Sequence, residues 1–281
     1  MRIALFHSSV YEFDRPVTLG PHEIRLRPMP GALEGSRYSL EVIPASHKLY
    51  WYQDALGNSV ARVIFAEATP RLALKIRLES ELRPLDPFSF LVEDYAQRFP
   101  FSYEESLRNN LSPYLQKQSC EALTREVIDD IHTRSSPSQN TVDMLVNLNR
   151  RIYDSIGYRK RGEEGVQTPE QTLQLKSGSC RDSAWLFIHI VRHLNLAARF
   201  ISGYQIQLNE SHQQSAELHA WAEVYLPGAG WIGFDPTLGL LSAENYIPLA
   251  AASTVSGAAP VVGSHEPCEV KTHFDIQIEK R

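Results

Sequence analysis

The chain has 281 residues, 43% hydrophobic and 22% charged, with a formal net charge of -5. That length accommodates one large domain or two, and the composition is that of a globular protein rather than a fibre or a disordered chain. It lacks the basic excess that phosphate contacts demand, which argues against a nucleic-acid partner.

No stretch approaches the roughly 18 to 20 apolar residues of a membrane span, so no membrane partner is expected. The apolar run in Met1 to His7 is too short for a signal peptide, and a cytoplasmic location is the default expectation. Cys120, Cys180 and Cys268 cannot build a disulfide framework, and none belongs to a C-x-x-C pair of a zinc ribbon or redox motif. Cys120 and Cys268 read as small buried hydrophobes.

Residues 1 to 84 read as a β domain. Arg37 to Ile43, Lys48 to Tyr52 and Val60 to Phe65 are short strand-like runs, with a turn at Leu56-Gly57-Asn58. Leu72, Leu74, Ile76 and Leu78 alternate with Ala73, Lys75, Arg77 and Glu79 at period two. Close-spaced strands and turns predict a small sandwich, and nothing there has catalytic spacing. His7, His22 and His47 read as surface or core residues.

From Leu85 the character changes, and residues 85 to 250 read as an α+β core with a helical lead-in. Tyr103 to Leu111 and Glu121 to His132 predict short helices. A longer helix begins near Ser138, with Val142, Leu145, Val146, Asn149, Ile152, Tyr153 and Ile156 on its inner face and Gly157 at its end. Thr168 and Pro169 cap and start another.

The next helix carries Cys180 at its head, in Ser177-Gly178-Ser179-Cys180-Arg181-Asp182, and is apolar nearly all round from Ala184 to Val191. A helix N-terminus presents free N–H groups and partial positive charge, which favour a thiolate and can hold an oxyanion. Three strand patterns follow, at Ala198 to Ile206, Leu218 to Leu226 and Trp231 to Phe234. In the second, His219, Trp221, Glu223 and Tyr225 share a face. A regular hairpin about Pro227-Gly228-Ala229-Gly230 would set Asp235 opposite Ala222, pointing away from His219. A bulge or shifted register between them is therefore expected. Residues 251 to 281 read as a loop and a terminal strand. The small, polar run from Ala250 to Ser264 predicts exposed loop, and Val270 to Ile278 alternates as a strand that joins a sheet, with residues 268 to 279 able to complete the N-terminal β domain.

Gly-x-Cys-x-Asp at the head of an apolar helix, Ser202-Gly203-Tyr204, His219-Ala220-Trp221 and Gly230-Trp231-Ile232-Gly233-Phe234-Asp235-Pro236-Thr237 together resemble the bacterial transglutaminase-like superfamily, which includes cysteine proteases. Val17-Thr18-Leu19-Gly20-Pro21-His22 and Arg25-Leu26-Arg27-Pro28 resemble the N-terminal β domain that precedes this core in many bacterial members. The resemblance implies a papain-like α+β core and a triad of Cys180 as nucleophile, His219 as base and Asp235 as orienting carboxylate. Asp182 and Trp221 fall on motif positions as supports. Arg181 stands where many members have Gln, and Ile247-Pro248-Leu249-Ala250-Ala251-Ala252 lacks the Arg-Asp pair common there.

A thiolate, an imidazole and a carboxylate suit acyl transfer through a thioester, with no metal or other cofactor required. Gln174, six residues before Cys180, and Tyr158 are candidates for a second oxyanion donor. Ser177, Ser179 and Ser183 flank the cysteine without a nucleophile-elbow motif, and no D-x-D-x-D-type calcium loop occurs. The expected partner is a peptide or protein. A cysteine protease-like hydrolase leads, a transglutaminase or amide ligase uses the same residues, and a non-catalytic binding module is the third reading; the oligomeric state is left open.

Overall fold

The computed structural model describes residues 1–135, 138–162, 165–208 and 214–280. Six strands come first: β1 (Arg2–Val17), β2 (His22–Ile24), β3 (Arg37–Ile43), β4 (His47–Gln53), β5 (Ser59–Phe65) and β6 (Thr69–Glu81). The alternating aliphatic residues of β6 turn one row inward, and Leu72, Leu74, Ile76 and Leu78 are buried.

Helices fill the middle: α1 (Glu105–Asn110), α2 (Ala122–Arg134), α3 (Thr141–Ser155), α4 (Pro169–Leu175) and α5 (Cys180–His193). Two-residue strands accompany them: β7 (Arg98–Phe99), ahead of α1, pairs with β8 (Gln139–Asn140), and β9 (Gly157–Tyr158) pairs parallel to β10 (Ser177–Gly178). Asn140 caps α3 by accepting from the Asp143 N–H at 3.0 Å. Thr168 and Gln171 close a capping box on α4, with Pro169 at its start. No helix among the described residues is long and apolar enough to cross a membrane.

A second sheet follows, built from β11 (Ala198–Leu208), β12 (Gln214–Leu226), β13 (Gly230–Asp235), β14 (Leu240–Leu241) and β15 (Tyr246–Ala252), in the order β14-β13-β12-β11-β15. One face of β12 carries Ala220, Ala222 and Val224, small enough for α5 to lie close, and Ala184, Phe187, Ile188 and Val191 of the helix are buried in the same core. A papain-like layering results, a buried helix on an antiparallel sheet.

The chain end returns to its beginning. β16 (Val261–Val262) pairs with β2, and β17 (Val270–Lys280) pairs with β1 from Phe13↔Val270 to Ile3↔Lys280. The sandwich sheets are thus β17-β1-β6-β3 and β16-β2-β5-β4. Lys271, Asp275 and Glu279 keep the edge strand β17 charged, which discourages further strand pairing. The sandwich core also takes in Tyr204, Ile206, Ile247 and Leu249 of the second sheet, so one hydrophobic cluster spans both units. At that junction the fully buried Asn58 takes the place of a missing strand. Its Nδ2 donates to the Ala251 carbonyl at 3.0 Å and its Oδ1 accepts the Ala251 N–H at 2.8 Å.

Several expectations require correction. Ala250 to Ser264 is not an exposed loop: Ala250, Ala251 and Ala252 are buried in β15, where small side chains let β15 lie under neighbouring elements, and Ala258 is buried beyond it. The buried face of α3 is Thr141, Met144, Leu145, Leu148, Asn149 and Ile152, while Tyr153 is exposed, so the true stripe is rotated from the expected one. Cys120 and Cys268 are half-buried rather than core residues.

Candidate active site

The site is assembled where the head of α5 meets the β12–β13 hairpin. Cys180 is the first residue of α5 and half-buried. Its setting is fixed by Asp182, which is fully buried. One carboxylate takes the Ser179 N–H at 2.7 Å and hydroxyl at 2.8 Å, the Gln167 N–H at 2.7 Å, and Arg161 Nη1 at 2.7 and 2.8 Å. Burial alone would raise its pKa, but these donors hold it below the usual carboxylate value. Gly178 is required here, because a Cβ on it would sit 2.8 Å from Asp182 Cβ. Arg181 donates to the Arg161 carbonyl at 3.2 Å, and the Arg159 N–H to the Gly178 carbonyl at 2.8 Å. The departure at Arg181 therefore helps fasten the segment ahead of α4 to the helix head.

The hairpin solves the facing problem by a one-residue register change. β12 and β13 pair from Leu226↔Gly230 to Ala222↔Phe234 without a bulge. Continued one step, this ladder sets Asp235 opposite Trp221, on the face that His219 shares. Gly228 (φ 84°) and Gly230 (φ 79°) provide the left-handed backbone for this turn. The expected bulge between His219 and Asp235 is thus not needed, and a register shift occurs elsewhere in the sheet, between β11 and β15 at Ser202/Gly203.

His219 Nε2–H donates to Asp235 Oδ2 at 2.8 Å, and the Tyr246 hydroxyl donates to the same oxygen at 2.8 Å. The Thr237 N–H donates to Oδ1 at 2.8 Å, closing an Asx turn over Pro236. Asp235 is fully buried and His219 is 6% exposed. Burial would lower the His219 pKa; the hydrogen bonds to Asp235 and Cys180, and the charges of both, push it up to about 10. Since Nε2 is committed to Asp235, Nδ1 is the nitrogen left for the thiol; it also lies 4.0 Å from Glu217 Oε1.

Trp221 is buried and packs edge-on against Tyr246, ring centroids 5.3 Å apart. Its ring occupies the space a side chain at Gly203 would need. Trp221 thus backs the tyrosine that holds Asp235. Tyr158 is 56% exposed, and its partial burial, followed by the charges of Cys180 and Glu217, raises its pKa. Gln174 is an exposed residue of α4, and among the described residues no hydrogen bond joins it to Cys180, His219 or Asp235. Tyr246 and Arg161 belong to the arrangement without any spacing signal. Tyr246 is placed by the pairing of β15 with β11, and Arg161 by a loop folding back onto α5. At the other end of α5, His189 and His193 lie close to Cys120.

Comparison with known proteins follows the same division of the chain. Residues 125–236 match the transglutaminase-like superfamily and residues 3–82 the bacterial transglutaminase-like N-terminal region. An uncharacterized protein of Mycobacterium leprae is 23% identical over 99% of this chain and 98% of its own length. An uncharacterized protein of Mycobacterium tuberculosis is 29% identical over 55% of this chain and 53% of its length, so the chain spans about half of that relative. A protein-glutamine gamma-glutamyltransferase of Pseudomonas aeruginosa is 29% identical over 40% of this chain and 18% of its length. A candidate cysteine protease of Cytophaga hutchinsonii shares the fold, with TM-score 0.72, 17% identity, and coverage of 99% of this chain and 90% of that one. The chain is therefore a bacterial transglutaminase-like N-terminal region followed by a core of the transglutaminase-like superfamily.

Proposed function

We propose that this chain is a thiol enzyme that breaks peptide or isopeptide amides through Cys180, with water as the usual acceptor. The observation that carries the reading is a buried histidine hydrogen-bonded to a buried carboxylate and interacting with a half-buried cysteine at a helix head. The Cys180 thiolate attacks the amide carbonyl carbon. The C–S bond forms as the carbonyl π electrons move to oxygen, held by the first N–H groups of α5. Collapse breaks the C–N bond, and the His219 imidazolium gives its proton to the departing amine. His219 then takes a proton from water as the water oxygen attacks the thioester, and the carboxylic acid leaves with the thiolate restored. Asp235 keeps the ring orientation and stabilises its positive charge. Tyr158, which feels the Cys180 charge, is the candidate second oxyanion donor in this scheme, and Gln174 has no part in it.

Amine transfer is the second reading, favoured by the likeness to the Pseudomonas gamma-glutamyltransferase. Here a substrate amine replaces water on the same thioester. The test is to incubate the chain with glutamine- and lysine-containing peptides, with and without added amine, and follow products by mass spectrometry. An acyl adduct on Cys180 that resolves to free acid supports the hydrolase; adducts resolving mainly to amide support transfer. Absence of any adduct or product across the peptide set would leave the binding-module reading in its place.

A further inference from the structure

The helix that bears Cys180 at one end carries two histidines at the other. His189 and His193 are one turn apart on α5, with ring centroids 4.6 Å from each other. Cys120 approaches them from the segment before α2. Its Sγ and one nitrogen of each histidine all lie within 4.8 Å of one another. We propose that Cys120, His189 and His193 form a binding site for a borderline-soft divalent metal ion, with zinc the best-matched ion.

The donor chemistry fits. Two imidazoles and a thiolate are a ligand set that zinc favours over the oxygen ligands preferred by calcium and magnesium. His193 Nε2–H donates to the Gln118 carbonyl at 3.1 Å. A carbonyl only accepts, so this bond fixes the tautomer and leaves the Nδ1 lone pair for a metal, the orientation that outer hydrogen bonds impose on ligating histidines.

Tetrahedral ligand atoms around zinc stand roughly 3.3 to 3.8 Å apart, given Zn–N and Zn–S lengths near 2.0 and 2.3 Å. Closing from 4.8 Å requires about one ångström of movement. Cys120 can supply it, being half-buried and outside regular secondary structure. Nearby cations are turned to other partners. Lys117 Nζ donates to Asn195 Oδ1 at 2.8 Å, Arg125 Nη2 to the Cys120 carbonyl at 2.9 Å, and Arg192 Nη2 to the Ser253 carbonyl at 2.7 Å. A cavity of about 140 Å³ bordered by Gln118, Glu121, Gln167, Glu170 and His189 adjoins the cluster on the His189 side. His189 is roughly 13 Å along the helix from Cys180 at about 1.5 Å per residue, so this site is separate from the reacting thiol. A bound ion would clamp the Cys120 segment to α5.

The test must exclude the other thiols, since Cys180 stands beside His219 and Cys268 Sγ lies 3.4 Å from His265 Nδ1. The full-length chain carrying Cys180→Ala and Cys268→Ser is stripped with chelator and titrated with Co²⁺, then with Zn²⁺. The expected result is one Co²⁺ per chain, with a thiolate-to-cobalt charge-transfer band in the near ultraviolet and visible bands of tetrahedral intensity, all displaced by Zn²⁺. Adding Cys120→Ser should abolish the charge-transfer band. Either Cys120→Ser or His193→Asn should weaken Zn²⁺ binding by at least about 100-fold, more than the loss of an outer-shell partner. Both positions are half-buried, and circular dichroism confirms that each variant is folded. No uptake at micromolar metal, a charge-transfer band that survives Cys120→Ser, or unchanged Zn²⁺ affinity in His193→Asn would each overturn the proposal.

Discussion

Two histidines, His7 in the sandwich and His219 in the second sheet, are almost equally buried, at 2% and 6% exposure. His7 Nδ1 is bonded to the Tyr204 hydroxyl at 2.8 Å and Nε2 to Ser9 Oγ at 2.7 Å. Burial lowers its pKa to about 4, against a small opposing pull from Asp275. His219 meets the same burial but rests on a carboxylate, and its pKa is about 10. Burial alone therefore does not decide the charge of an enclosed imidazole; the charge of its hydrogen-bond partner does. His7 is a neutral joint between the two units, and His219 is a stored proton beside a thiol.

Asp235→Asn breaks this contrast most directly, because it gives His219 a neutral partner like that of His7. The His219 pKa, followed by NMR, should fall from about 10, keeping only the share that Cys180 supplies, and turnover of any substrate found should fall by roughly 10³-fold or more, as in other triads that lose the orienting carboxylate. Asp182→Ala removes a carboxylate that satisfies Ser179, Gln167 and Arg161 together. Denaturant unfolding should show a loss of about 3 kcal/mol, the cost of leaving buried partners uncompensated.

The two histidines also predict opposite limbs of the pH–stability curve. His7 has a lowered folded pKa, so the unfolded chain binds the proton more readily. Its contribution is whole above about 6.5 and is lost as pH falls towards about 4, a window shared with His189. His219 has a raised folded pKa, so its contribution is whole below about 6.5 and is lost as pH rises through about 10. Replacing His7 by Gln should flatten the acid limb and leave the alkaline limb in place; equal flattening of both would contradict the assignment. Tyr246→Phe should have the smallest effect. It removes one of three donors to Asp235 and should slow turnover by about 5-fold, the worth of one hydrogen bond of about 1 kcal/mol.

Much of this was legible in the chain because local chemistry and tertiary role coincide. Gly178, Cys180 and Asp182 lie within one helix start, where capping demands a carboxylate at the third position and the close approach of Asp182 demands glycine at 178. Thr168 and Pro169 likewise mark α4 by their own chemistry. Features set by distant pairing were not legible. The β12–β13 register depends on which residues the turn consumes, and a single-residue difference moved Asp235 from the wrong face to the right one. Ala250 to Ala252 look like loop because their burial comes from β11 and the Asn58 side chain, neither near them in sequence. Tyr246 and Cys120 carry no local signal of their surroundings for the same reason: their partners are reached only through the fold.

The most direct test of the central claim is the alkylation rate of Cys180 against pH, read at that residue by mass spectrometry in the native chain and in His219→Ala. A histidine that keeps its proton up to about 10 beside Cys180 should pair with a thiolate, so alkylation should persist well below pH 7 and collapse in His219→Ala. A rate that rises only through about pH 8.5, the range of a free thiol, and is the same in both proteins would contradict the account.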